Sequence, residues 1–311
     1  MAQPTRIPGD IAPRDVRLED IPLFPGFDAR DIDGAGARIH CVIGGAGPPL
    51  LMLHGYPQTH AMWHKIAPAL AERHTVVCAD VRGYGDSSKP DSGPPHEAYA
   101  KRAMAADMVE VMRRLGFTSF RLAGHDRGAR VAHRLCRDHP AAVERVAVLD
   151  ISPTQRMFER TDQAFATAYY HWFFLIQPFD LPEHLIGADP AYYIAQKMKR
   201  WSAGESAFFD PRAWAEYERC FSDPATIHAS CEDYRAAASI DLAHDRADTK
   251  RVRCPLLVLW GEKGVVHRMF DPLADWRAVA DDVRGRALPT GHFVAEEAPD
   301  ETLTEFMAFF G

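Results

Sequence analysis

From about residue 37, short apolar runs recur along the chain, each closing on a polar or glycine-rich stretch: PLLMLHGYP, TVVCADVRGYG, FRLAGHD, RVAVLDISP and PLLVLWGE. Runs without polar alternation suit strands covered on both faces, as in a parallel sheet. Between them lie MWHKIAPALAERH, AYAKRAMAADMVEVMRRLG and ARVAHRLCRDHPAAV, whose apolar positions repeat at helical spacing. The alternation predicts an α/β fold with a mainly parallel central sheet flanked by helices.

After Pro153 the alternation stops. Residues 154–248 are rich in aromatic and helix-forming stretches (AFATAYYHWFFLI, PAYYIAQKMKRW, DPRAWAEYERCF, CEDYRAAASIDLAHD) and carry no strand pattern. The strand pattern returns at RVRCPLLVLWG and ends with GRALPTGHFVAEEAPDETLTEFMAFFG. This order predicts a core in two parts, residues 1–153 and 249–311, with residues 154–248 inserted as a helical cap. There is no internal repeat or low-complexity tract.

Composition narrows the function classes. A chain of 311 residues that is 47% hydrophobic and 25% charged has the make-up of a soluble globular protein. Its formal net charge of -7 offers no basic footprint for nucleic acid or an anionic membrane, so neither is expected as a partner. An anionic substrate would have to be met by local cations. The first twenty residues lack the apolar core of a signal peptide and no run is long enough to span a bilayer, which predicts a cytoplasmic protein. Cys41, Cys78, Cys136, Cys220, Cys231 and Cys254 show no paired short spacing, so reduced thiols are expected rather than disulfides or a zinc site, and no metal or cofactor is implied.

The candidate chemistry starts at GHDRG, a Gly-x-nucleophile-x-Gly sequence between an apolar run and a helical pattern. Small flanking residues let the chain make a strained strand-to-helix turn that lifts one side chain above the sheet, here Asp126. The plainer reading of Asp126 is a helix N-cap. LLMLHGYP supplies a strand running into His-Gly-x-Pro, where the amides of Tyr56 and Arg127 would form an oxyanion hole; its plainer reading is a Gly-Pro turn. PTGHFVAEEAP places His292 on a glycine-flanked loop before the terminal helix, in the chain order nucleophile, acid, histidine. Two residues could be the acid: Glu262, directly after LVLWG, and Asp150, at the end of RVAVLD.

Arg127 and Arg130, three residues apart, share one face of the first helical turn, where each opposes the helix dipole at a cost of about 0.3–1 kcal/mol. An anion is therefore expected beside them. Two guanidinium forks next to one nucleophile suit a small carboxylate substrate, and the competing reading is that one of them forms an internal ion pair. Arg134, a turn further on, is expected at the surface.

Over nearly its whole length the chain resembles the α/β-hydrolase fold proteins, and within them the fluoroacetate (haloacetate) dehalogenases. The residues responsible are HGYPQTHAMWH, ADVRGYGDS, GHDRGARVAHR, LDISP, YYHWFF, CEDYR and GHFVAEE, of which HDRGAR and YHWFF are the most specific. The resemblance implies a small haloacid substrate and a homodimer. It favours Asp150 as the partner of His292, and it gives His171, Trp172 and Tyr234 as the halide pocket. Asp126 would displace the halide from saturated carbon, and His292 would activate the water that hydrolyses the resulting ester. An epoxide hydrolase shares the aspartate and uses cap tyrosines, with Tyr169, Tyr170, Tyr192, Tyr193, Tyr217 and Tyr234 as candidates, but a neutral epoxide has no use for two cations. A simple esterase is disfavoured by the absence of Ser or Cys at the turn. A non-catalytic ligand-binding protein would not need nucleophile, acid and base together.

Overall fold

The computed structural model describes residues 23–204 and 207–311, so the N-terminal segment lies outside the described residues. The strands are β1 (Phe27–Asp33), β2 (Arg38–Gly44), β3 (Pro49–Leu53), β4 (Thr75–Ala79), β5 (Phe120–His125), β6 (Val143–Leu149), β7 (Leu256–Gly261) and β8 (Val283–Leu288). They form one sheet in the order β1-β2-β4-β3-β5-β6-β7-β8. Pairing is parallel from β4 through β8, while β1 and β2 form an antiparallel hairpin whose second strand runs antiparallel to β4. The inner strands coincide with the apolar runs because both of their faces are covered, and every residue of β7 is buried. At the edges the pattern differs. β1, FDARDID, is mostly exposed, and so hydrophobic periodicity gave no sign of it.

In the core segments the helices are α1 (Ala67–Leu70), α2 (Lys101–Arg114) and α3 (Asp126–Asp138). Between β6 and β7 come α4 (Thr154–Glu159), α5 (Gln163–Ala168), α6 (His171–Phe174), α7 (Leu181–Gly187), α8 (Pro190–Trp201), α9 (Pro211–Phe221), α10 (Pro224–Ala238) and α11 (Ile240–Ala247). After β7 follow α12 (Val265–Met269), α13 (Pro272–Arg277), α14 (Val294–Glu297) and α15 (Pro299–Phe310). The segment between β6 and β7 is thus helical, but its stretches are more broken than their periodicity suggests. AFATAYYHWFFLI divides into α5 and α6 at Tyr169 and Tyr170, and CEDYRAAASIDLAHD divides at Ser239, whose hydroxyl donates to the carbonyl of Arg235. No helix of the described residues is long and apolar enough to cross a membrane.

The expectation for Arg134 is corrected. α3 is buried along nearly its whole length, so this side chain cannot reach solvent and instead pairs with Asp138 and Asp248. Helical spacing places residues on a face; it does not say that a face so rich in arginine is covered by a later helix.

Candidate active site

Asp126 stands where β5 turns directly into α3, with φ of +42°, in the left-handed region that non-glycine residues avoid. The flanking glycines make the turn possible through close approach. A Cβ on Gly124 would lie 2.7 Å from the backbone N of Ala129, and one on Gly128 would lie 2.4 Å from the carbonyl oxygen of His54. The backbone amide of Tyr56, on the loop after β3, donates to Oδ2 of Asp126 at 3.1 Å. Arg127, the other residue assigned to the oxyanion hole, lies in the first turn of α3, where backbone N–H groups have no partner within the helix.

His292 faces Asp126 from the loop between β8 and α14. Its Nδ1 donates to Oδ2 of Asp150 at 2.6 Å, while Oδ1 of Asp150 accepts the backbone amide of Gly261 at 3.0 Å. Asp150 follows β6 and also has positive φ, +50°. Glu262, the alternative acid, is exposed to solvent. The geometry therefore joins His292 to Asp150 and leaves Nε2 of the imidazole for chemistry. Two further groups hold the loop. Nε2 of His125 lies 2.9 Å from the carbonyl of His292, and the backbone amide of His292 donates to the carbonyl of Trp201 at 2.8 Å. Glu297 binds the amides of Gly291 and Phe293 on either side.

The electrostatics divide these groups by task. Burial works to raise the Asp126 pKa, but His292, Arg130, His125 and Arg127 together hold it below the ordinary carboxylate value. At neutral pH Asp126 is therefore an ionised carboxylate. Burial opposes charge on His292, yet the hydrogen bond and charge of Asp150, with a contribution from Asp126, raise its pKa above the usual imidazole value. His171 behaves in the opposite way: burial first, then the nearby Lys197, pushes its pKa well down, so its ring is neutral. Burial and the charge of Asp126 push the Tyr234 phenol well up, keeping its O–H as a donor.

Asp126, Arg130, Asp150, Tyr169, His171, Trp172, Trp201 and His292 enclose a cavity of about 10 Å³, near the minimum that holds one water. His171 stacks on Tyr56 and meets Tyr234 edge-on, their ring centroids 6.2 and 5.5 Å apart. Arg127 and Tyr234 do not belong to the cavity wall, but they pack on one another, with the guanidinium carbon 4.2 Å from the ring centroid.

The two arginines are held differently. Arg127 binds Asp233 through Nε at 2.7 Å and Nη2 at 2.6 Å, so one of the pair does form an internal ion pair. Arg130 has no carboxylate hydrogen-bonded to it among the described residues; Nη1 donates to Thr154 Oγ1 at 2.8 Å and the guanidinium lies 4.8 Å from the Trp172 ring centroid. Among the described residues nothing partners Nη1 of Arg127, Nε of Arg130, Nδ1 of His171 or the hydroxyl of Tyr234, although all four atoms are buried. A buried polar group without a partner costs about 1–3 kcal/mol, so this concentration around one carboxylate marks a place built for a polar guest.

Sequence reasoning missed several members of the site. Trp201 lines the cavity beside Tyr169, which the sequence offered only as a cap tyrosine; Asp233 holds Arg127, and Glu297 shapes the histidine loop. Trp201 lies in a stretch that reads simply as an amphipathic helix, and Asp233 and Glu297 lie within the quoted motifs CEDYR and GHFVAEE, where Tyr234 and His292 drew the reading. Lys197 on α8 is also buried, its ammonium 3.4 Å from the Tyr170 ring centroid and its pKa lowered to about 6 by burial.

Comparison with known proteins adds a separate line of observation. The alpha/beta hydrolase fold family model matches residues 48–299. The chain is 48% identical over 290 residues to a fluoroacetate dehalogenase of Burkholderia sp, covering 92% of this chain and 95% of that protein. It is 34% identical over 280 residues to a soluble epoxide hydrolase of Corynebacterium sp. (strain C12), covering 88% and 94%. Among solved structures, an α/β hydrolase from Nostoc sp PCC 7120 superposes with a TM-score of 0.90 at 59% identity, covering 91% of this chain and 98% of that one.

Proposed function

The chain belongs to the α/β-hydrolase family and, within it, to the haloacetate dehalogenases, and from that premise we propose that it hydrolyses the carbon–halogen bond of short 2-haloacids such as fluoroacetate and chloroacetate. The observation that carries the reading is the set of buried, unpartnered groups on two arginines, a neutral imidazole and a phenol around the ionised Asp126. A haloacid brings one carboxylate and one departing halide, and so it offers acceptors for both kinds of donor. A neutral epoxide has one acceptor oxygen and no charge to offset two buried guanidinium groups.

In the proposed reaction a carboxylate oxygen of Asp126 attacks C2 in line with the halogen, and the C–O bond forms as the carbon–halogen bond breaks. The halide takes the bonding electrons and is received by donors on His171, Trp172 and Tyr234, while Arg127 and Arg130 hold the substrate carboxylate. Nε2 of His292 then takes a proton from water, and the hydroxide attacks the Asp126 ester carbonyl. The amides of Tyr56 and Arg127 stabilise the oxyanion until the ester collapses to the 2-hydroxyacid and free Asp126. A cavity this small disfavours long or branched acids. No step requires a metal or cofactor.

The proposal extends to organisation. The core, residues 1–153 and 249–311, would supply nucleophile, base and acid, and the cap, residues 154–248, the halide donors. Among the described residues of the cap, five large apolar side chains are exposed, Tyr170 by 38%, Phe179 by 72%, Leu181 by 51%, Leu185 by 55% and Tyr192 by 63%, which supports a homodimer formed through this surface. Six free cysteines support a cytoplasmic location.

The test is halide release from fluoroacetate and chloroacetate, with a neutral epoxide as control. Halide appears from the haloacetates with the native protein and not with Asp126→Ala, and His292→Ala accumulates the ester as added mass on the Asp126 peptide. Diol from the epoxide without halide release would move the assignment to an epoxide hydrolase.

A further inference from the structure

Arg127 is gripped from one side. Its Nε and Nη2 donate to Oδ2 and Oδ1 of Asp233 at 2.7 and 2.6 Å, and Nη2 also donates to the Asp233 carbonyl at 2.8 Å. Three of its five N–H bonds are thereby taken up by Asp233, and the edge left over is Nη1, buried and unpartnered among the described residues. Asp233 is itself fully buried and has other donors. Lys101, the first residue of α2, donates its ammonium to Oδ1, and Tyr84 donates its hydroxyl to Oδ2 at 2.7 Å. The cap helix α10 thus carries two neighbouring residues with different attachments: Asp233 pinned to core residues and Tyr234 packed on Arg127.

We propose that Asp233 is a positioning residue that fixes which edge of Arg127 meets the substrate carboxylate and, by sharing its charge with Lys101, leaves Arg127 cationic enough to bind it. The inference rests on the carboxylate-binding role proposed above for the arginine pair. Its physical basis is geometric. A planar guanidinium held at Nε and Nη2 cannot rotate, so the free Nη1 edge is presented without a further loss of side-chain entropy on binding. A carboxylate with a single cation would neutralise that cation, whereas here Lys101 donates to the same Asp233 and takes part of its charge, while Asp241 holds the Lys101 backbone amide at 2.8 Å. The cluster also joins cap to core, so that seating of Tyr234 and presentation of Arg127 depend on the same carboxylate.

The experiment uses acetate, which has the carboxylate but no leaving group, as the probe. Its dissociation constant is measured by NMR titration with the full-length native protein, Asp233→Asn and Lys101→Met, and chloroacetate turnover and thermal midpoints are measured alongside. Asp233→Asn is expected to weaken acetate at least ten-fold and to raise KM for chloroacetate in parallel, while kcat falls less than three-fold. Lys101→Met keeps the Arg127–Asp233 pair and should weaken acetate at least three-fold, providing the deciding comparison if Asp233→Asn does not fold. Unchanged acetate affinity in a folded Asp233→Asn, or in Lys101→Met where that variant alone folds, overturns the proposal. So does a fall in kcat with KM unchanged, which is the mark of a merely structural role. A native protein that binds acetate but releases no halide would reject the dehalogenase reading and leave the acetate comparison to decide the role of Asp233.

Discussion

His292 is charged and discharged by its neighbours. Burial would keep the ring neutral, but Asp150 at 2.6 Å reverses that and raises the pKa. The proposed general base must be neutral to act, so hydrolysis of the proposed Asp126 ester should rise with pH through a midpoint above the ordinary histidine value of about 6.5. By linkage, a raised histidine pKa adds stability that is fully present below the unfolded-state value and lost as pH rises through the folded one. Asp150→Asn should move the rate midpoint to lower pH and slow ester hydrolysis by about 10³–10⁴-fold, the scale set by losing the carboxylate of a triad. Single-turnover kinetics across pH 5–9 reads both; a midpoint that stays in place would separate Asp150 from the base. At this scale the sequence was informative about type and less so about pairing. The Gly-x-Asp-x-Gly pattern and the histidine loop could be read directly, whereas Glu262 and Asp150 remained open without the resemblance, since only folding shows which carboxylate reaches the ring.

The β5-to-α3 turn shows what an element contributes. Asp126 sits at φ of +42° because the turn closes within one residue, and there is room for that closure only if position 128 lacks a side chain. A Cβ on Gly128 would meet two backbone carbonyl oxygens, those of His54 and Leu53, at 2.4 and 2.5 Å, and neither can swing aside. Gly128→Ala should therefore destabilise the protein by about 1–3 kcal/mol, the usual cost of overpacking a tight site, with a lower urea midpoint and a large loss of turnover. Unchanged stability would show that the turn is looser than its geometry states. Among the elements, inner strands were legible because burial on both faces leaves an uninterrupted apolar run. The edge hairpin and the breaks within the cap helices were not, because an edge strand shows water a polar face and aromatic stretches bend where their rings must pack.

For the whole molecule, the helices between β6 and β7 contribute Tyr169, His171, Trp172 and Trp201 to the cavity wall and also carry exposed apolar side chains. Leu181 and Leu185 lie four residues apart on one face of α7, so Leu181→Asp with Leu185→Asp places two charges where the proposed homodimer would be dry. Light scattering after size exclusion is expected to show a dimer for the native chain and a monomer for this variant, with a thermal midpoint lowered only by the loss of association. A native monomer at micromolar concentration would remove the homodimer from the proposal.

The sequence by itself determined the α/β architecture, the run of helices that interrupts the strands, and the residue types gathered at the turn and the histidine loop. These follow from local rules: a strand buried on both faces needs an apolar run, and a one-residue turn needs glycine beside it. Tertiary structure alone decided that Arg127 is bound to Asp233 while Arg130 is not, that Arg134 is buried, and that Trp201 and Tyr169 wall the cavity. Those facts depend on contacts such as Arg127 with Asp233, 106 residues apart in the chain. Periodicity is silent on which distant helix covers a given face, and in this protein that choice settles which charges are free to meet a substrate.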